Sequence, residues 1–108
     1  MKKMFKVIGT KTYLEEISRW SKTDKEAAEK ISNQLAENPF VGDPLNYKFL
    51  REKRVQEKRI YFLVYEDLNL VLLVATSGKK DQQPTIDHIK SHLDEFKIIA
   101  EKIVKQAS

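Results

Sequence analysis

The sequence predicts a single α+β domain spanning residues 1–108: an N-terminal strand, a helical hairpin, a three-stranded antiparallel meander and a long C-terminal helix. Two observations predict this order. Apolar residues recur at steps of three and four in two separate stretches, one before Asn38 and one after Asp81. Between them, from Tyr47 to Thr76, the chain is dense in β-branched and aromatic residues and broken only by short polar turns. A chain of 108 residues can bury a core of its own, so the absence of cysteine is no obstacle to stability.

Met4 to Ile8 is rich in β-formers and closed by Gly9, which reads as a strand inside the sheet or at its edge. From Thr12 the spacing becomes helical through Tyr13, Leu14, Ile17 and Trp20, and Trp20 on this stripe is expected in the core. Thr23 reads as the N-cap of a second helix, with Asp24 and Glu26 in its first turn and Ala27, Ala28, Ile31 and Leu35 on its apolar face. Asn38-Pro39 ends it, because the residue before proline avoids the α region, and Gly42-Asp43-Pro44 prolongs the break.

Strands follow over Tyr47–Arg54, Arg59–Tyr65 and Leu70–Thr76, joined by connections short enough for hairpins. The last two are apolar on both faces, so each side of the sheet needs a cover. Asp81 reads as the cap of the final helix, with Pro84 in its tolerant first turn. Ile86, Ile89, Leu93, Phe96, Ala100 and Ile103 form an a/d seam along it, read as packing on the sheet, with a homodimer or partner contact through its far end as the alternative.

Composition excludes several function classes. The charged start, Met1 to Lys6, and its broken apolar run make no signal peptide, and the longest apolar run, Leu70 to Ala75, is six residues, too short to cross a bilayer. No membrane role is expected. Without cysteine there is no disulfide, thiolate metal site or cysteine nucleophile, which fits a reducing, cytoplasmic setting. His88 and His92 stand four apart on one helix face but read as surface histidines, and no metal or cofactor is called for. With three glycines there is no phosphate-cradling loop.

Charge is the positive signal. The net charge is +4, and all of it arises between Lys48 and Arg59, where Lys48, Arg51, Lys53, Arg54, Lys58 and Arg59 face only Glu52 and Glu57. So local an asymmetry points to a polyanion or an acidic partner. Tyr61 and Tyr65 share the strand parity of Arg59; they read as core rings, with base stacking as the alternative.

The order of elements, the loop Gly42-Asp43-Pro44-Leu45 and the stretch from Arg54-Val55-Gln56-Glu57-Lys58-Arg59 through Tyr65 resemble the RelE/ParE toxin family over nearly the whole chain. Two arginines five apart across a hairpin turn are the most specific part of that likeness, and Leu70 to Ala75 followed by Ser77-Gly78-Lys79-Lys80 resembles the family's last strand and the basic residue beyond it. The resemblance implies a toxin of a type II toxin–antitoxin system with a cognate antitoxin partner. In the RelE branch it implies a metal-independent endoribonuclease acting on mRNA at the ribosome, and in the ParE branch a gyrase inhibitor. It implies functional roles for Arg59 and Lys80, with Lys79 as a one-register alternative, and RNA positioning by Lys48, Arg51, Lys53, Arg54 and Lys58. The chain departs from the RNA-cleaving pattern at Leu50 and Glu52, where lysines stand, and in Gln82-Gln83-Pro84-Thr85-Ile86, which lacks a tyrosine or histidine.

Overall fold

The computed structural model describes residues 4–107; the first three residues of the charged N-terminus lie outside it. Strand β1 is Lys6–Gly9, followed by helices α1 (Lys11–Ser18) and α2 (Lys22–Glu37). Strands β2 (Asp43–Leu45), β3 (Tyr47–Val55), β4 (Lys58–Tyr65) and β5 (Leu70–Ser77) come next, then helices α3 (Gln82–Ser91) and α4 (Leu93–Ala107). The five strands form one sheet in the order β1-β5-β4-β3-β2. The α+β architecture and the β3-β4-β5 meander are as predicted. β1 lies at the edge, parallel to β5, with Lys6 opposite Leu70 and Gly9 opposite Leu73.

Both sheet faces are covered, as the apolar runs of β4 and β5 require. On one side Ile60, Phe62, Val64, Val71 and Leu73 meet Tyr13, Ala28, Ile31 and Leu35 of α1 and α2. On the other, Tyr61, Leu63, Tyr65, Leu70 and Leu72 meet Ile86, Ile89 and Ala100 of α3 and α4. Leu93, Phe96 and Ile103 pack against that second core, so the a/d seam is spent on the sheet. Ile98 and Ile99 of α4 stay exposed.

Four local details differ from expectation. Ser21 rather than Thr23 caps α2, its hydroxyl accepting from the Asp24 amide at 3.2 Å. Both residue types suit the position, and the helix gains two residues by starting at the earlier one. Asp81 holds the cap position of α3 without a side-chain bond; its carbonyl instead accepts from the Thr85 hydroxyl at 2.7 Å. The final helical segment divides at His92. The short strand β2 was expected as loop; its Pro44 is tolerated because β2 is an edge strand.

One irregularity positions the site. Tyr61 pairs with Ala75 but Phe62 with Leu73, so Val74 has no partner and forms a bulge in β5. The extra residue reverses the parity of everything after it. Val74 and Ala75 both enter the α3/α4 core, and Ser77 comes to lie on the same face as Tyr61.

Candidate anion-binding site

Strands β3 and β4 close through a two-residue turn, Gln56-Glu57, with Val55 opposite Lys58. Gln56 takes a positive φ of 57°. This register sets Arg54 directly across from Arg59, and Arg59 in turn faces Ser77 on β5. Like charges directly opposite each other on a sheet repel. The Lys79 side chain joins them, and the three cations line a depression of about 260 Å³ together with Gln56 and Glu57. The net charge of that lining is +2.

Arg59 forms the buried part of the depression. It is 6% exposed, and its side chain makes no hydrogen bond to any of the described residues. Its nearest counter-charge is Glu52, whose Oε2 lies 3.9 Å from Nε, beyond hydrogen-bonding distance. Glu52 is itself buried, and its Oε2 accepts from Gln82 Nε2 at 3.4 Å. Beneath them the Tyr61 hydroxyl and Ser77 Oγ share a hydrogen bond of 2.8 Å. Burial pushes the Tyr61 phenol above its ordinary pKa; the bond from Ser77 pulls the other way, Glu52 adds to the rise, and Arg59 opposes it. A planar guanidinium with unused donors, in a shallow cation-lined hollow, is arranged to accept a phosphate or carboxylate through two parallel hydrogen bonds.

The eight basic residues singled out from sequence divide sharply. Arg54, Arg59 and Lys79 converge. Lys79 lines the depression, whereas Lys80 is exposed and does not. Lys58 turns to the α1/α2 side, where it pairs with Asp24 at 2.7 Å and lies 5.6 Å from the Trp20 ring centroid. Lys53 is half-buried on the strand parity of Val55, which faces α2. Lys48 sits 5.1 Å from the Phe40 ring. Arg51, expected on an RNA-binding surface, is buried instead: its Nη atoms donate to the carbonyls of Lys48 at 3.0 Å, Phe40 at 2.9 Å and Gly42 at 3.0 Å. Tyr61 and Tyr65 belong to the core and are not free to stack on bases. His88 and His92 stack on each other with ring centroids 4.1 Å apart, and the described residues contain no cluster of ligands fit for a metal.

The sequence leaves Glu52 and Glu57 as alternative ion-pair partners of Arg59, of which the structure shows Glu52, and it does not point to Ser77 or Gln82. Glu52 was legible in principle, since it shares parity with Arg54 and the two-residue turn fixes which residue faces Arg59. Ser77 depends on the bulge at Val74, which no turn or glycine signal announces.

No protein-family model matches this chain, and no curated protein matches it. Solved structures do. A free-state arginine double mutant of the E. coli toxin RelE superposes with a TM-score of 0.67 at 14% identity, covering 78% of this chain and 92% of that one. The toxin–antitoxin complex RelBE2 from Mycobacterium tuberculosis gives 0.62 at 16%, covering 70% and 92%. The archaeal RelE–RelB complex from Pyrococcus horikoshii gives 0.61 at 12%, covering 70% and 96%. The class defined by architecture is therefore the RelE fold. This chain is a RelE-fold protein whose sheet end carries a hollow lined by three cations, one of them, Arg59, with a buried Nε that has no hydrogen-bond partner. No helix among the described residues is long and apolar enough to cross a membrane.

Proposed function

We propose that this chain is the toxin of a type II toxin–antitoxin system, acting in the cytoplasm on mRNA at the ribosome and held in check by a cognate antitoxin. The observation that carries the proposal is Arg59: buried, without a hydrogen bond, and set with Arg54 and Lys79 around one hollow. A buried cation left without hydrogen bonds is costly, and a ligand phosphate supplies what it lacks. The shared fold with proteins solved as RelE–RelB complexes supports the antitoxin partner.

In the proposed reaction a 2′-hydroxyl oxygen attacks the neighbouring phosphorus, its proton passes to a water molecule, and the bond from phosphorus to the 5′-oxygen breaks. The 5′-oxygen takes up that proton from the water that received it, leaving a 2′,3′-cyclic phosphate and a 5′-hydroxyl. Arg59 and Lys79 stabilise the charge that develops on the phosphorane oxygens, and Arg54 holds the adjoining backbone.

The test is cell-free translation with the purified chain, followed by primer extension on the mRNA. Cleavage within the reading frame is expected, slowed about a hundredfold by Arg59→Ala, a magnitude typical of removing one charge-stabilising donor. Intact mRNA with undiminished protein synthesis sinks the proposal; inhibition of gyrase supercoiling in its place would move the target to the ParE type.

A further inference from the structure

A second depression opens on the α1/α2 side of the same sheet end. Its volume is about 330 Å³, and its lining includes Glu16, Arg19, Trp20, Lys58, Gly78 and Asp81. Lys58 and Gly78 are the chain neighbours of Arg59 and Lys79, so the two hollows stand on either side of one rim. That rim is open: a β-carbon added at Gly78 would meet no atom within 4 Å.

The two hollows differ in chemistry. The first is cationic, whereas the second balances Arg19 and Lys58 against Glu16 and Asp81, and Lys58 is further neutralised by Asp24 at 2.7 Å. A balanced hollow has no preference for phosphate. It does offer an indole that is half-buried and only partly absorbed by the α1/α2 core, with Lys58 Nζ 5.6 Å from its ring centroid and able to swing aside on its flexible stem, beside the Asp81 carboxylate and the Arg19 donor. A flat, uncharged heteroaromatic ring with amino and carbonyl edges matches that set, because every base has a π-face to stack and polar edges to satisfy.

We infer that this depression receives the base of the nucleotide adjoining the phosphate bound at Arg59, stacked on Trp20, with the RNA chain crossing the rim at Gly78. This rests on the proposed function, since it needs the phosphate in the first hollow. It makes Trp20 and Gly78 part of the RNA surface and extends that surface around the sheet end.

Trp20 is the only tryptophan, so its emission reports on the hollow directly. An unlabelled single-stranded RNA hexanucleotide is titrated while tryptophan emission is followed, and a fluorescein-labelled copy gives total binding by anisotropy. Quenching at the same midpoint as the anisotropy change is expected, whereas inorganic phosphate, which fills the cationic hollow alone, leaves emission unchanged. Trp20→Ala weakens hexanucleotide binding about tenfold, the size of one lost base stack. Because the indole also packs partly in the core, Gly78→Val serves as the second variant: its side chain enters open space, leaves the unfolding midpoint in place, and blocks the crossing with a similar loss. Hexanucleotide binding that requires Arg54 and Lys79, yet neither quenches Trp20 nor responds to Gly78→Val, overturns this inference and leaves the proposed function standing. Failure of the hexanucleotide to bind at all overturns this inference, while the proposed function stands or falls on the translation assay.

Discussion

Arg51 and Arg59 stand on paired strands of one sheet, 8% and 6% exposed, and each has a buried Nε without a hydrogen-bond partner. Their outer nitrogens have opposite fates. Those of Arg51 bind three backbone carbonyls and tie the loop after α2 to β3. Those of Arg59 bind nothing among the described residues, and the side chain opens onto a hollow it shares with Arg54 and Lys79. Burial and charge do not separate a structural cation from a ligand-binding one here. What separates them is whether the donors are already used, since hydrogen bonds within the protein stabilise the fold and unused donors stabilise a complex.

The largest effect expected from this contrast comes from replacing each arginine with methionine, which keeps the stem and removes the donors. Arg51→Met strands three carbonyls and should cost about 4.5 kcal/mol, since each bond to a charged donor contributes roughly 1.5 kcal/mol or more. Arg59→Met paired with Glu52→Gln, which avoids an orphaned carboxylate, should change stability by less than about 1 kcal/mol while abolishing RNA binding. Urea unfolding of both proteins, with anisotropy on the second, checks this. Equal losses of stability would erase the distinction.

Gly42 sharpens the Arg51 side. Its φ is 90°, and a β-carbon there would press into the Glu52 carbonyl oxygen, while its own carbonyl accepts from Arg51. Gly42→Ala combines backbone strain with a clash against backbone, for a loss of about 3 kcal/mol in the same unfolding assay. The rest of the hairpin needs no such glycine, so RNA affinity measured at a temperature where the variant is folded should be unchanged.

The two faces also differ in how they hold a phenol. Tyr13, on the α1/α2 side, is pushed up to about 12 by burial, with nothing opposing the rise. Tyr61 is raised by burial too, but the Ser77 bond and Arg59 pull it back. A phenol whose folded pKa lies above its unfolded value of about 10 favours folding while protonated. The contribution of Tyr13 is therefore complete below pH 10 and lost as pH rises from about 10 to 12, where the unfolded chain ionises first. Two units correspond to about 2.7 kcal/mol, and Tyr13→Phe should remove that much of the alkaline loss in stability measured between those pH values.

Much of this molecule was legible in the sequence because its signals are local. Helical spacing from Tyr13 to Leu35 and the dense β-formers from Arg59 to Ala75 place the elements, and the run Arg54 to Arg59 places the hairpin. What was not legible depends on contacts between distant segments. The parallel pairing of β1 with β5 leaves no local mark, and the apolar seam runs through the break at His92 without a proline or glycine to announce it. The unpaired Val74 decides that Ser77 turns toward Tyr61 and Arg59, which counting along β5 from Leu70 gets wrong by one residue. The same kind of one-residue uncertainty left Lys79 and Lys80 as alternatives. Arg51 and Arg59 looked alike because sequence shows a charge and not whether its donors are taken.

The smallest expected effect tests the Arg59 side at its turn. Gln56 sits at φ 57° where glycine would be unstrained, and it also lines the cationic hollow. Strain at such a position amounts to roughly 1 kcal/mol, and the added chain entropy of glycine returns part of it, so Gln56→Gly should gain about 0.5 kcal/mol in urea unfolding. If the hollow is held by the register of β3 and β4 rather than by the turn, this variant binds RNA as the parent does, because Arg54 still pairs with Arg59 whatever residue occupies the turn. A gain in stability with a loss of RNA binding would instead make Gln56 a contact to the ligand, and the contrast with Arg51 would then extend from one side chain to the whole hairpin tip.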